Sequence, residues 1–203
     1  MKNKLAAALA LLAIAFTVAG CGSMTAAQGW TTLIDGDKGM ENFTISGATA
    51  NWRGEGGAIV ADKITAGTGA SVLITNKDYR DVEIYAEFWS EDTTNSGIYL
   101  RAPDIKMVNT ASGAFEVQIW DKNPAQNYAT GSLVNVASVN GKYIAAGRWN
   151  TYEVYAKGSE ITVKLNGVVT SSTSYAKNHT GRIGLQFNAG GAIKFRKLAV
   201  REL

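Results

Sequence analysis

The 203-residue chain contains one cysteine, one histidine and two prolines, and each scarcity removes a class of chemistry. A lone Cys21 has no partner within the chain, so no disulfide framework holds the fold and a hydrophobic core must do so. A single His179 forms no histidine cluster for zinc, and between Asn178 and Thr180 it reads as a surface residue of a polar loop. No G-x-S-x-G nucleophile elbow is present, which leaves serine-hydrolase chemistry without its nucleophile. Asp35-Gly36-Asp37 lacks the acidic spacing of an EF-hand loop and reads as a turn. Gly190-Gly191 reads the same way, because no phosphate-loop lysine follows it. Neither a metal nor a cofactor is expected. The formal charge of +3 falls to about +1 once Lys2 and Lys4 are set aside, and nothing in that balance asks for nucleic acid.

Those two lysines precede a nearly unbroken apolar run, Leu5 to Val18, which is too short and alanine-rich for a membrane span and reads as a signal peptide over residues 1–20. The small residues Val18-Ala19-Gly20 before Cys21 resemble a bacterial lipobox. That resemblance implies cleavage before Cys21, a diacylglycerol on its sulfur and an acylated amine, which together anchor the chain by lipid at its N-terminus. The competing expectation is ordinary secretion with Cys21 left as a free thiol. Residues 21–29 are small and polar and suit a flexible tether, so the folded domain is expected over 30–203. Gly22 is not the aspartate associated with inner-membrane retention, which favours the outer membrane within the cell envelope.

The rest of the chain lacks any long segment of helical period. It consists of β-branched and aromatic runs separated by Gly, Asn and Asp. Val82, Ile84, Ala86 and Phe88 alternate with Glu83, Tyr85, Glu87 and Trp89; Phe115, Val117 and Ile119 with Glu116, Gln118 and Trp120; Ile98 and Leu100 with Tyr99 and Arg101; and Ile183, Leu185 and Phe187 with Arg182, Gln186 and Asn188. About a dozen such strands cannot bury their apolar sides in one open sheet, so the pattern predicts an all-β, two-sheet antiparallel β-sandwich in one domain. Asn140-Gly141 and Asn166-Gly167 are expected as hairpin turns, and the Gly-rich stretch 54–69 as loops around Ala58 to Ala61.

The outward residues mix carboxylates, amides, an arginine and aromatic rings. That combination suits sugars, whose apolar ring faces stack and whose hydroxyls pair. Glu87, Arg101, Glu116, Gln118 and Trp120 form the centre of the expected site, and the two tryptophans Trp89 and Trp120 opposite the aliphatic stripe favour a ligand face over a merely solvated one.

Asn95-Ser-Gly-Ile-Tyr-Leu-Arg101, Phe115-Glu-Val-Gln-Ile-Trp-Asp121, Gly147-Arg-Trp-Asn150, Gly181-Arg-Ile-Gly-Leu-Gln186 and Phe195-Arg-Lys-Leu-Ala-Val-Arg-Glu-Leu203, with Leu33-Ile-Asp-Gly36 before them, occur in the order found in the 3-keto-disaccharide hydrolase domain family, which the chain resembles. The resemblance implies a concanavalin-like jelly roll with a concave ligand sheet and the hydrolysis of glycosides already oxidised at C3. Glu116-x-Gln118-x-x-Asp121 also resembles a degenerate form of the E-x-D-x-x-E strand of laminarinase-type glucanases, with glutamine replacing the middle carboxylate. A 3-keto sugar has an acidified C2 proton, so one base suffices for elimination of the glycosidic oxygen. The expected base is Glu116 or Asp121, with Arg101 and Gln118 steadying the oxyanion and Trp89 or Trp120 stacking the sugar. Glu87, Asn95, Gln186 and Asn188 complete the expected binding set. Relatives carry a histidine near the position of Asn188, which cannot serve as a base. The alternatives are therefore a non-catalytic carbohydrate-binding envelope lipoprotein and, more remotely, a structural envelope protein.

Overall fold

The computed structural model describes residues 29–177 and 179–203; Cys21, the lipobox and the tether up to residue 28 lie outside the described residues. The alternating runs become strands: β1 (Trp30–Asp35), β2 (Phe43–Ala50), β3 (Arg53–Glu55), β4 (Ala58–Ala61), β5 (Ile64–Tyr79), β6 (Val82–Ser90), β7 (Asn95–Ala102), β8 (Phe115–Ile119), β9 (Trp149–Lys157), β10 (Glu160–Leu165), β11 (Val168–Thr173), β12 (Gly181–Ala189) and β13 (Ile193–Glu202). They assemble into two antiparallel sheets. The first runs β11-β10-β9-β6-β13-β4-β3, and the second β2-β5-β12-β7-β8. The first half of β13 pairs with β4 and the second half with β1, so β1 completes the first sheet. This is the β-sandwich expected from the alternation.

One core lies between the sheets. Ile84 and Phe88 of β6, Val154 of β9 and Phe195 and Leu198 of β13 meet Ile98 and Leu100 of β7, Val117 and Ile119 of β8 and Leu185 and Phe187 of β12. Phe88 stacks on Tyr152 with centroids 4.8 Å apart, and the Tyr152 hydroxyl crosses to donate to the Gln118 carbonyl at 2.6 Å. A buried phenol would be costly without that acceptor, which also ties β9 of one sheet to β8 of the other.

Asn166-Gly167 turns the β10–β11 hairpin with φ of 50° and 80°, the positive values that Asn-Gly tolerates best. Asn140-Gly141 does not turn a hairpin. Its backbone is recruited by β11 instead, Asn140 N–H donating to the Thr170 carbonyl and its side-chain amide to that of Val169. Residues 64–69 are also not loop: they form the first third of the long β5, where Gly67 and Gly69 at φ near 80° kink the strand against a bulged β2.

Candidate functional site

The strand register of the second sheet lays out its outer face. Tyr99 lies between Glu116 on β8 and Gly184 on β12, and in the next row Gly97 lies between Gln118 and Gln186. Each side chain points outward because its neighbours Phe115, Val117, Ile98 and Leu185 are committed to the core. Two positions of this face carry no side chain. A β-carbon at Gly97 would stand 2.8 Å from Glu116 Oε1, and one at Gly184 would stand 2.6 Å from Val72 Cγ1, so the Glu116 carboxyl leans over Gly97 while Val72 closes over Gly184.

Glu116 is 6 % exposed, and its Oε1 is buried without a hydrogen-bond partner. Burial pushes its carboxyl up to about 7, against hydrogen bonding from Tyr99 and Gln186 that pulls the other way. The Gln186 side-chain amide donates to the Tyr99 hydroxyl at 2.7 Å, which frees the phenolic hydrogen for the carboxylate. Burial, followed by the neighbouring Glu116 charge, raises the Tyr99 phenol well above its ordinary value. Gln186, Tyr99 and Glu116 thus form a short polar relay in which Gln186 Oε1 and Glu116 Oε1 remain open acceptors.

A cavity of about 350 Å³ adjoins this relay, at the small end of ligand clefts. Val72, Tyr99, Gln186 and Asn188 form its floor; Lys106, Met107 and Val108 come from segment 103–114, which crosses the outer face after β7. Val108 and Ala114 pack with Tyr99, Val72 and Ile74 in a second small apolar cluster, and the Ser46 hydroxyl pins the segment by donating to the Ile105 carbonyl.

The structure brings Glu116, Gln118, Gln186 and Asn188 onto this one face. Asn95 opens β7 on the same side as Gly97 and Tyr99, and half-buried Trp120 follows β8 by one residue. Four other expected site residues belong elsewhere. Glu87 and Trp89 project from β6, on the outer face of the opposite sheet, where Glu87 pairs with Arg196 and Trp89 lies under the Lys194 ammonium at 4.7 Å. Arg101 has φ of 50°, which turns its side chain out of the strand alternation. Its guanidinium, 1 % exposed, donates to the carbonyls of Arg80, Gly158 and Lys177 at 2.8–3.1 Å and pairs with Asp81, knitting three loops together. Asp121 accepts from the Thr130 hydroxyl at 2.6 Å and from the amides of Ala145 and Ala146 at 2.9 and 2.8 Å, bracing segment 120–148. With these acceptors engaged it is a loop clamp, whereas Glu116 keeps a carboxylate oxygen without a partner.

His179 also departs from the surface reading. It is half-buried, with Nε2 2.7 Å from the Arg101 carbonyl and its ring stacked on Phe115.

Tyr99, Gly97 and Gly184 were not among the expected site residues. Their sequence signal is two glycines at outward strand positions, where a side chain would normally cover the sheet. Gly97→Ala is therefore expected to displace the Glu116 carboxyl. Titration of Glu116 by carbon-detected NMR should show its midpoint moving from about 7 toward the ordinary carboxylate range as the group is pushed toward solvent.

A family model described as the 3-keto-alpha-glucoside-1,2-lyase-like domain matches residues 29–201. Among solved structures, a candidate glycosyl hydrolase from Parabacteroides distasonis shares the fold with a TM-score of 0.69 at 22% identity, over 86% of this chain and 99% of that one. A Bacillus subtilis protein with a galectin-like fold gives 0.62 at 10% identity, over 84% and 93%. A carbohydrate-binding module, also from Bacillus subtilis, gives 0.53 at 13% identity, over 86% and 96%. No curated protein matches the sequence.

Proposed function

We propose that this chain, which belongs to the 3-keto-alpha-glucoside-1,2-lyase-like domain family, cleaves glycosides oxidised at C3 of the sugar, with Glu116 as the base that removes the C2 proton. The observation that carries the reading is the position of Glu116. It is a buried carboxylate held near neutrality, leaning over a glycine beside a sugar-sized cavity. A base with a value near the working pH combines availability with proton affinity, and a C3 ketone makes the neighbouring C2–H acidic enough for a carboxylate.

The C2–H bond breaks toward Glu116, and the electron pair is delocalised into the C3 carbonyl. The pair then returns to form the C1–C2 double bond as the C1–O bond breaks. The departing oxygen takes the proton back from the Glu116 carboxylic acid, so the base is regenerated without a second group. Water adding to the resulting enone completes a net hydrolysis. The open amide oxygen of Gln186, with Asn188 and Gln118 on the same face, supplies partners for sugar hydroxyls.

A base must be ionised to act, so kcat/KM is expected to rise with pH through an apparent value of about 7 and then level off. A profile flat from pH 5 to 9 excludes Glu116 as the base. The reaction itself is tested with a panel of 3-keto-glucosides and their unoxidised parents: release from the keto substrates alone supports the reading. Sugar binding without product supports the second reading, a carbohydrate-binding domain, which Asn188 favours because an amide cannot act as a base.

The lipid anchor on Cys21 and an outer-membrane location in the cell envelope complete the proposal, supported by the lipobox-like Val18-Ala19-Gly20-Cys21. Mass spectrometry of the protein from cells should find Cys21 diacylated, and Cys21→Ser should release the chain from membranes.

A further inference from the structure

The outer face of the first sheet, where Glu87 and Trp89 were left without a role, carries a groove of about 500 Å³. It lies on the opposite side of the core from Glu116 and owes nothing to the proposed reaction. Trp30 of β1, Tyr85 of β6 and Tyr155 of β9 supply three rings along it. Glu83 and Arg201, paired with each other, line it together with Glu153 and Lys164, which are cross-strand neighbours on β9 and β10.

Three features define the occupant. The four charges of the groove are two of each sign, so neither a polyanion nor a polycation is drawn to it. The rings are half-buried and offer apolar area, with the Arg201 guanidinium lying over one face of Trp30 at 5.2 Å. The Glu153 carboxylate, the Lys164 ammonium and the Tyr155 hydroxyl form no hydrogen bond or ion pair within the described residues, which leaves acceptors and donors of both kinds along the rings. A ligand that is uncharged, apolar on its ring faces and dense in hydroxyls at its edges meets all three conditions.

We propose that this groove is a second glycan-binding site, taking a short stretch of a neutral hexose polysaccharide stacked on Trp30 and Tyr155, with Glu153 and Lys164 bonded to its hydroxyls. Two sites on opposite faces would let the protein hold a polysaccharide with one sheet while the other sheet is free for a small sugar. Each weak site then gains from the other by raising the local concentration of ligand.

The test is titration of the nitrogen-labelled full chain with maltohexaose, cellohexaose, laminarihexaose and chitohexaose. The expected result is that at least one of them moves the Trp30 indole and the Glu153 and Tyr155 amides. Tyr155→Ala and Glu153→Ala, the latter at an exposed position, should each weaken that binding about tenfold or more, a change of roughly 1.4 kcal/mol, whereas Glu116→Gln should leave it unchanged. Three results overturn the proposal: no response to any of the four sugars, responses confined to Gln186 and Asn188, or unaltered binding in both groove variants. Success or failure here is read at residues of the first sheet and is independent of whether a 3-keto substrate is cleaved.

Discussion

Glu116→Gln is expected to lose at least about a thousandfold in turnover of a 3-keto-glucoside, in line with removal of an essential base, and at the same time to become more stable than the parent at pH 8. The second effect follows from linkage. Folding raises the Glu116 carboxyl from its ordinary 4.5 to about 7, so between those values the folded state keeps a proton that the unfolded chain has released. The folded state binds more protons there, and stability must fall as pH rises through the window. The rise from 4.5 to about 7 corresponds to about 3 kcal/mol lost by pH 8. Glutamine keeps the shape and has no charge to desolvate, so the variant escapes that loss. For a domain of this size the gain is roughly 6–12 °C in Tm at pH 8, shrinking to nothing near pH 4. Melting curves of parent and variant across pH 4–8 decide the matter: if the two lose stability in parallel, the carboxyl is already ionised and the site does not hold a poised base.

A protein that carries a destabilising carboxylate under a closed loop would be expected to discard it unless the group does something. The desolvation is built in by Val108 and Ala114 packing beside Tyr99 and by Gly97 admitting the carboxyl close to the sheet. These features are costs in folding terms, and they make the ionisable group useful near neutral pH.

Much of this arrangement was legible from period-two alternation, because Val82 to Phe88 of β6, Ile98 and Leu100 of β7, Phe115 to Ile119 of β8 and Ile183 to Phe187 of β12 put their alternate residues into the core as it predicts. Alternation tells which side of its own sheet a residue occupies. It does not tell which sheet. Glu87 and Trp89 on β6 follow the same pattern as Glu116 and Gln118 on β8, yet β6 pairs with β9 and β13 while β8 pairs with β7, so the two outward sets face away from each other across the core. That partition is set by pairings between residues far apart in the chain, which no local pattern records. Parity also fails where the backbone leaves the extended region. Arg101 continues the outward series of Tyr99 on paper, but a positive φ diverts it into the loops at the end of the strand. Asp121, just beyond β8, is captured by two amides of a segment more than twenty residues later. Tyr99 was visible and passed over, since a tyrosine on an alternating strand is ordinary until its neighbours are known.

The second large effect separates these two roles of charge. Arg101→Met is expected to cost about 3–5 kcal/mol of stability, the usual result of breaking a buried, fully hydrogen-bonded charge by removing one partner. The carbonyls of Arg80, Gly158 and Lys177 would lose their donor together, and the Asp81 carboxylate would lose its guanidinium partner while keeping its bond from the Gly158 amide. Methionine fills similar space without restoring any of those bonds. Denaturant titration at neutral pH should place the variant's midpoint well below the parent's, with Arg101→Lys between them because one ammonium can reach only part of the set. Below the transition, the folded variant should retain the parent's KM and the same pH dependence near 7, since the guanidinium does not reach the face that carries Glu116. If instead Arg101→Met melts like the parent and loses turnover a thousandfold, the guanidinium acts on the substrate and must leave its loop cluster to do so. The hydrogen bonds then predict a cost for that movement comparable to the stability the parent was expected to lose, and substrate binding would have to supply it.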